Sequence, residues 1–133
     1  MAAPAGALAA DSTWKGKTRQ GRGVVLRTGD DRRVERVKIG WRARCSEGGR
    51  YTSRTIFAAP FDSATATAFR ATGDYGARPT GYTAHVHTTI KGWWAAAKGR
   101  WRGTLSVRVR VVKHGEAIDV CRVKRLRWSA GPA

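Results

Sequence analysis

The chain has 133 residues and carries 26 Lys and Arg against 9 Asp and Glu, which gives a formal net charge of +17. This length fits one domain, and the 41% hydrophobic content argues against wholesale disorder despite the charge. The sequence has no run of about 18 apolar residues, so it predicts no membrane-spanning helix. The charge surplus favours polyanionic partners, with a generally basic, solvated surface as the alternative.

A single folded domain is predicted over 14–130, with tails at 1–13 and 131–133. The first segment, MAAPAGALAA, is small and apolar and resembles the end of a secretory signal, with an Ala-rich cleavage site before Asp11. This start favours an exported precursor. The alternative is a disordered Ala/Pro/Gly tail.

Alternation of apolar and polar residues with period two predicts strands along most of the chain. The clearest run is WRGTLSVRVRVV, which places one face in a core and the other in water. In chain order, the predicted strands are Trp14–Thr18, Gly23–Thr28, Val34–Cys45, Tyr51–Phe57, Gly81–Trp93, Trp101–Val112 and Ala117–Trp128. The apolar phase changes between Val123 and Leu126, which predicts a β-bulge near Lys124 or Arg125.

The connections are less regular. Ser63–Arg70 is compatible with a helical turn or a short strand, and the Gly, Pro and Asp content of Thr72–Gly81 predicts a loop. Gly92–Gly99 is interpreted as a helical turn or a broad hairpin loop, and Ser129–Ala133 as a tail.

Seven or eight strands joined by hairpin turns, without an amphipathic helix, predict an all-β fold: an antiparallel β-sandwich or a flattened barrel. Cys45 and Cys121 both lie on the apolar phase of a strand, 76 positions apart. In an exported protein we expect them to form one disulfide between facing sheets. The alternative is a pair of free thiols in a cytoplasmic protein. Neither cysteine belongs to a CxxC pair, so no zinc–thiolate cluster is predicted.

The chain also resembles an uncharacterised exported β-module common in actinobacterial proteins. The motifs T-x-Q-G, W-x-A-x-C, G-Y-x-A, R-G-T-L-x-V-x-V and D-x-C followed by W-S-A carry this resemblance. The matching residues are Thr18, Gln20, Gly21, Trp41, Ala43, Cys45, Gly81, Tyr82, Ala84, Arg102–Leu105, Asp119, Cys121, Trp128, Ser129 and Ala130. The resemblance implies a secreted, disulfide-bonded β-fold and no catalytic residue.

Basic side chains share the polar phase of three predicted strands. Arginine suits phosphate because its planar fork donates two parallel hydrogen bonds. The predicted polyanion-binding residues are Arg36, Lys38, Arg42, Arg44, Arg102, Arg108, Arg110, Arg122, Lys124, Arg125 and Arg127. They form one cationic surface if the strands are neighbours, whereas strands in different sheets would disperse the charges.

Tryptophans and histidines supply the other candidate sites. Trp93, Trp94 and Trp101 are predicted to stack on bases or sugar rings, with a hydrophobic plug at one end of the fold as the alternative. His85 and His87 form an HxH pair that is a weak metal candidate, since no third ligand is apparent.

No paired carboxylates, GxSxG elbow or phosphate-binding loop stands out, so the sequence predicts neither an enzyme nor a cofactor. It favours a non-enzymatic exported module that binds an anionic polymer or glycan at the cell envelope. The alternatives are a nucleic-acid-binding β-domain that uses the arginine-rich strand faces and a self-assembling structural subunit. Reduced cysteines would favour a cytoplasmic location and nucleic acid as the partner.

Overall fold

One antiparallel sheet of nine strands makes up most of the computed structural model, which describes residues 12–78 and 81–133. The strands are β1 (Ser12–Thr18), β2 (Gly23–Thr28), β3 (Val34–Cys45), β4 (Arg50–Ala58), β5 (Ser63–Ala64), β6 (Ala68–Ala77), β7 (Thr83–Ala95), β8 (Arg100–Lys113) and β9 (Glu116–Pro132). Two single-turn 3-10 helices lie at Asp30–Arg32 and Ala96–Lys98. The all-β antiparallel class is confirmed, whereas the strand count is nine and not seven or eight.

The largest departure from the sequence interpretation is β6. Its ladder with β7 runs without interruption from Ala68↔Trp93 to Ala77↔Ala84, so the loop expected from Thr72 onward is wrong as far as Ala77. Continuous pairing with β7 overrides the turn preference of the Gly and Asp residues in this stretch. Residues 79–80 and 1–11, the latter including the predicted leader remnant, lie outside the described residues.

Both predicted tails contribute to the sheet where they are described. Ser12 and Thr13 belong to β1, and β9 continues to Pro132. The reason is mutual pairing, since Trp14 lies opposite Pro132 and Thr18 opposite Trp128 in the β1–β9 ladder.

The sheet branches where β3 and β9 meet. Its strand order is β4-β3-β2-β1-β9-β8-β7-β6-β5, and β3 pairs a second time, directly with β9. Cys45 and Cys121 are partners in that direct pairing and form a disulfide, with Cα atoms 3.8 Å apart. The predicted disulfide is confirmed, but it joins neighbouring strands of one sheet and does not bridge two separate sheets. The β1–β2 hairpin fills the space into which β3 and β9 diverge.

The sheet curls around one apolar core built from the inward residues of the strands. The largest fully buried side chains of that core include Trp41, Trp101, Leu26, Ile39, Ile90 and Leu105. The bulge predicted near Lys124 or Arg125 is confirmed by a register shift between Leu105 and Val107 and by the positive φ of 48° at Arg125. The bulge reverses the phase of β9, so that Cys121 and Leu126 both point inward.

Side chains connect β4 to β6 across the line where the two ends of the sheet approach. The buried Trp41 Nε1–H donates to Thr55 Oγ1 at 3.0 Å. The Thr55 hydroxyl lies 2.8 Å from the Tyr75 hydroxyl, which also contacts the Arg54 carbonyl oxygen at 3.3 Å. Burial raises the pKa of Tyr75 above its ordinary value of 10.0.

Candidate polyanion-binding surface

Four arginines from four strands form a single row across the outer face of the sheet. Arg108 of β8 lies directly opposite Arg122 of β9. Arg122 lies opposite Arg44 of β3, and Arg44 lies opposite Arg50 of β4. All four side chains are exposed. Directly opposite residues place their Cβ atoms about 4.5–5.5 Å apart, so successive arginine side chains leave the sheet close together. We call these four residues the arginine row.

The branch in the sheet creates this row. Arg44 precedes Cys45 and Arg122 follows Cys121, so period-two alternation turns the cysteines inward and both arginines outward. The disulfide therefore fixes the register that places the two arginines opposite each other. Without the direct β3–β9 pairing, Arg44 and Arg50 would belong to a different part of the surface from Arg108 and Arg122.

One end of the row carries the one contact within 4.0 Å between a basic side-chain nitrogen and a carboxylate that is found among residues 12–78 and 81–133. His87 lies opposite Arg108, and its Nδ1 pairs with the Asp74 carboxylate on β6. Within the described chain, no Lys or Arg side chain lies within 4.0 Å of a carboxylate oxygen. The positive charge of the row is thus left for solvent ions or for a ligand to neutralise.

Asp119 lies close to the row, and its carboxylate is used in local structure. It accepts a hydrogen bond of 2.6 Å from the Ser46 hydroxyl and one of 3.2 Å from the Glu47 N–H. The Ser46 hydrogen bond is the main cause that lowers the pKa of Asp119 from its ordinary value of 3.8. The carboxylate holds the β3–β4 turn beside the disulfide and does not contact the arginines.

Three adjoining depressions cross the outer face beside the row, and we call them together the basic strip. Their volumes are about 520, 460 and 190 Å³. The first and second share Arg125 and Arg127, and the second and third share Gln20. The third reaches the arginine row at Arg44 and Arg50. Among the described residues, no Asp or Glu lines any of the three.

Gln20, at the tip of the β1–β2 hairpin, shapes the centre of the strip. Its side-chain amide nitrogen donates to the Arg42 carbonyl at 2.8 Å, and its amide oxygen accepts from the Arg42 N–H at 2.8 Å. On the other side of the tip, the Arg19 N–H donates to the Arg127 carbonyl at 2.8 Å. The side chain of Gln20 thus takes the place of a strand residue in the gap between β3 and β9.

The predicted basic residues divide into three groups. Arg44, Arg108 and Arg122 belong to the arginine row. The basic strip is lined by Arg42, Arg102, Lys124, Arg125 and Arg127. Arg36 and Lys38 lie toward the other end of β3, opposite Ala58 and Ile56 of β4, while Arg110 lies beyond the row, opposite His85. The strands that carry the predicted residues are therefore parts of one sheet.

Sequence reasoning missed Arg19, Gln20 and Arg50. Arg50 was open to inference, since a tight turn at 46–49 places it opposite Arg44 in a hairpin. The positions of Arg19 and Gln20 depend on the insertion of the β1–β2 hairpin between β3 and β9, for which the local sequence carries no signal.

The three tryptophans predicted to stack occupy different environments. Trp101 is 0% exposed, so its prediction as a stacking residue is wrong. Trp94 is half-buried in an edge-to-face chain between Trp14 and Trp101, and the Arg32 guanidinium carbon lies 4.5 Å from its ring centroid. The rings of Trp94 and Trp101 help to close one end of the core. Trp93 is 45% exposed and lines the first depression of the basic strip.

The charges around His85 and His87 disfavour the binding of a metal ion. His87 is paired with Asp74, and both histidines lie directly opposite arginines, Arg110 and Arg108. The described residues contain one cluster of metal-ligand type, Cys45, Asp119 and Cys121, and its two thiols are joined as a disulfide.

Comparisons with protein-family models, with curated proteins and with solved structures each found no match. Among residues 12–78 and 81–133, no helix has the length and apolar character needed to cross a bilayer.

Proposed function

We propose that the protein is a non-enzymatic, exported module that binds an anionic polymer of the cell envelope along the arginine row and the basic strip. The observation that carries this proposal is the register of the row, in which Arg108, Arg122 and Arg44 lie directly opposite one another, with Arg50 next. Like charges in directly opposite positions destabilise a sheet. The anionic groups of a bound polyanion attract the guanidinium groups and offset this repulsion.

The ligand is proposed to be a polymer because the positive charge is distributed over a long path. Adjacent strands are about 4.7–4.9 Å apart, so the row and the strip offer closely repeated cationic sites across several strands. A single exposed ion pair contributes little, whereas linked anionic groups bind together at high effective concentration. The guanidinium fork matches phosphate and carboxylate groups alike.

The envelope is proposed as the location because of the disulfide. Structural disulfides persist in oxidising compartments and are rare in the cytoplasm of mesophiles. The proposal is non-enzymatic because the strip consists mainly of Arg, Lys, Gln, Thr and Trp side chains. This set binds anions but supplies neither a carboxylate nor an imidazole for proton transfer.

The test uses linear inorganic polyphosphate as the probe and compares two variants of equal net charge. Arg44→Ser/Arg122→Ser removes the centre of the row, while Lys15→Ser/Arg54→Ser removes two exposed strand cations that have no cation directly opposite. We expect the row variant to bind polyphosphate about tenfold or more weakly than the control variant does. The magnitude of its slope of log K against log salt should be about two smaller than that of the parent protein. Equal losses of affinity in both variants would show that binding depends on net charge alone. If the parent protein does not bind polyphosphate at physiological salt, the proposal is refuted.

Trp93 favours nucleic acid as a second candidate ligand. Its exposed ring lies beside Arg102 and Arg127 in the first depression, and aromatic rings beside cations stack on unpaired bases. Single-stranded oligo-dT that binds more tightly than polyphosphate of equal charge, with the difference removed by Trp93→Ala, would favour this function over the envelope polymer.

A further inference from the structure

The depression at Trp93 differs from the rest of the strip because it contains an open aromatic ring. Trp93 lies between Ala68 of β6 and Arg102 of β8 in the cross-strand pairing. Ala68 is too small to cover the indole, which explains the 45% exposure of a side chain that is otherwise costly to leave in water. The adjacent Trp94 faces the other way and packs into the core.

The volume and walls of this depression suit a small ring. It is an open depression of about 520 Å³, which leaves room for a sugar ring and its neighbours in a chain. The bulge at Arg125 turns Arg125 and Arg127 of β9 outward, so both line this depression beside Arg102 and Thr104 of the adjacent strand β8. Thr104 adds a hydroxyl that forms no hydrogen bond with any described residue.

The side chains that line this depression offer mostly hydrogen-bond donors. The side chains of Arg102, Arg125 and Arg127 are donors only, and Thr104 supplies the one side-chain oxygen among the described lining residues. Nucleobase edges present fixed N–H donors as well as acceptors, and Thr104 is the one described lining side chain with an oxygen that accepts from them. A sugar ring that carries a carboxylate, phosphate or sulfate group presents anionic acceptor oxygens to such walls, and its rotatable hydroxyl groups both accept and donate. Its C–H face is apolar enough to cover an indole.

We infer that the Trp93 depression is a subsite for one pyranose ring with an anionic substituent, so that the polymer bound by the protein is an acidic glycan. This inference rests on the proposed function, because it names the class of polymer that the same surface takes. In this arrangement Trp93 packs on the ring, Arg102 and Arg127 hold its anionic group, and the rest of the polymer continues along the strip toward the arginine row.

The test compares three probes of equal charge number: a galacturonic acid oligomer, linear inorganic polyphosphate, which has no ring, and oligo-dT. Trp93→Ala is expected to weaken binding of the galacturonic acid oligomer about tenfold and to leave polyphosphate binding within about twofold. Trp93→Phe, which keeps an aromatic face, is expected to retain most of the affinity. Tyr82→Ala is the matched control, since Tyr82 is an exposed aromatic residue just before the other end of β7. A thermal unfolding transition like that of the parent protein shows that the variant is folded.

The outcomes separate this inference from the proposed function. Selective loss of the galacturonic acid oligomer in Trp93→Ala supports the acidic-glycan subsite. An unchanged affinity for that oligomer, or a larger loss for oligo-dT, overturns it while leaving the polyanion function intact. If the arginine-row variant binds polyphosphate as well as its charge-matched control does, the proposed function fails whatever the Trp93 variants show.

Discussion

Arg44 and Arg122 lie directly opposite each other across the β3–β9 ladder, immediately beside the Cys45–Cys121 disulfide. Two cations in opposite positions repel, yet the covalent bridge one residue away prevents the strands from separating. The disulfide therefore compensates for the repulsion between the two arginines. The bridge stabilises the sheet where two arginines lie directly opposite each other and where we propose that an anionic ligand binds.

Removing one member of the like-charge pair should make the protein more stable. For Arg122→Thr we expect a rise of about 0.2–1 kcal/mol in the free energy of unfolding at low salt, because the repulsion with Arg44 and Arg108 is relieved. Since salt screens exposed charges, the gain should shrink in high salt. Urea denaturation at two salt concentrations measures both effects. Arg54→Thr, opposite Gly40, is the control, and an equal or salt-independent gain in both variants would contradict the explanation.

The disulfide should contribute strongly to stability because it closes a long loop. Since Cys45 and Cys121 are 76 positions apart, the chain-entropy model gives about 4 kcal/mol for the bridge. We expect Cys45→Ala/Cys121→Ala to lower the free energy of unfolding by an amount of that order. Intact mass after alkylation in denaturant should show modified thiols only when a reductant is added first. A reductant should leave the melting temperature of the double variant unchanged, and a similar shift in both proteins would argue against the bridge as the cause.

Gln20 should protect the backbone of Arg42 from exchange with solvent. Its side chain makes two hydrogen bonds to the Arg42 backbone, and removing them by Gln20→Ala should cost about 0.5–1.5 kcal/mol for each bond. Hydrogen exchange followed by NMR should show a faster Arg42 amide. Gln20→Glu keeps the acceptor for the Arg42 N–H but loses the donor to the Arg42 carbonyl, so we expect an intermediate effect. An unchanged Arg42 exchange rate in Gln20→Ala would refute this role.

Any side chain at Gly103 should destabilise the fold, although the φ angle of Gly103 is not positive. A Cβ atom there would collide with the Lys91 carbonyl oxygen and approach the Trp128 ring to 2.5 Å, and both neighbours are fixed in the packed sheet. We expect Gly103→Ala to destabilise the fold by about 1–3 kcal/mol through overpacking. Gly76→Ala is the matched strand control, because its nearest neighbour would be the Ala84 carbonyl oxygen at 3.8 Å. Denaturant midpoints that shift equally in both variants would contradict the packing argument.

Asp119 should make stability depend on pH in the acid range. Because the Ser46 hydrogen bond lowers the folded-state pKa of Asp119, the carboxylate stabilises the fold above its ordinary pKa of 3.8. That stabilisation is lost as the pH falls through the lower, folded-state pKa. Asp119→Ala should therefore reduce the melting temperature at neutral pH, with the difference from the parent protein vanishing in strong acid. Ser46→Ala should move the acid loss to higher pH, and a pH-independent difference would exclude the carboxylate as its source.

The alternating pattern alone determined most of the strands, since a half-buried strand needs an apolar residue at every second position. The predicted bounds of Gly23–Thr28 and Val34–Cys45 match β2 and β3. The apolar phase of Cys45 and Cys121 indicated the disulfide, and the change of phase after Val123 indicated the bulge. In β6, however, glycines and Asp74 concealed a strand that exists because β7 pairs with all of it.

Only part of the candidate site could be predicted from the sequence. Alternation showed that Arg44, Arg108 and Arg122 face outward, but it could not show that they form a row. If the β7 alternation is extended through Ala95, Trp93 lies outward and Trp94 inward, whereas the turn-like composition of this stretch obscured that order. Strand neighbours, the β3–β9 branch and the insertion of the β1–β2 hairpin were decided by the tertiary structure alone. Pairing between segments distant in sequence depends on the packing of the whole core, and no local pattern encodes it.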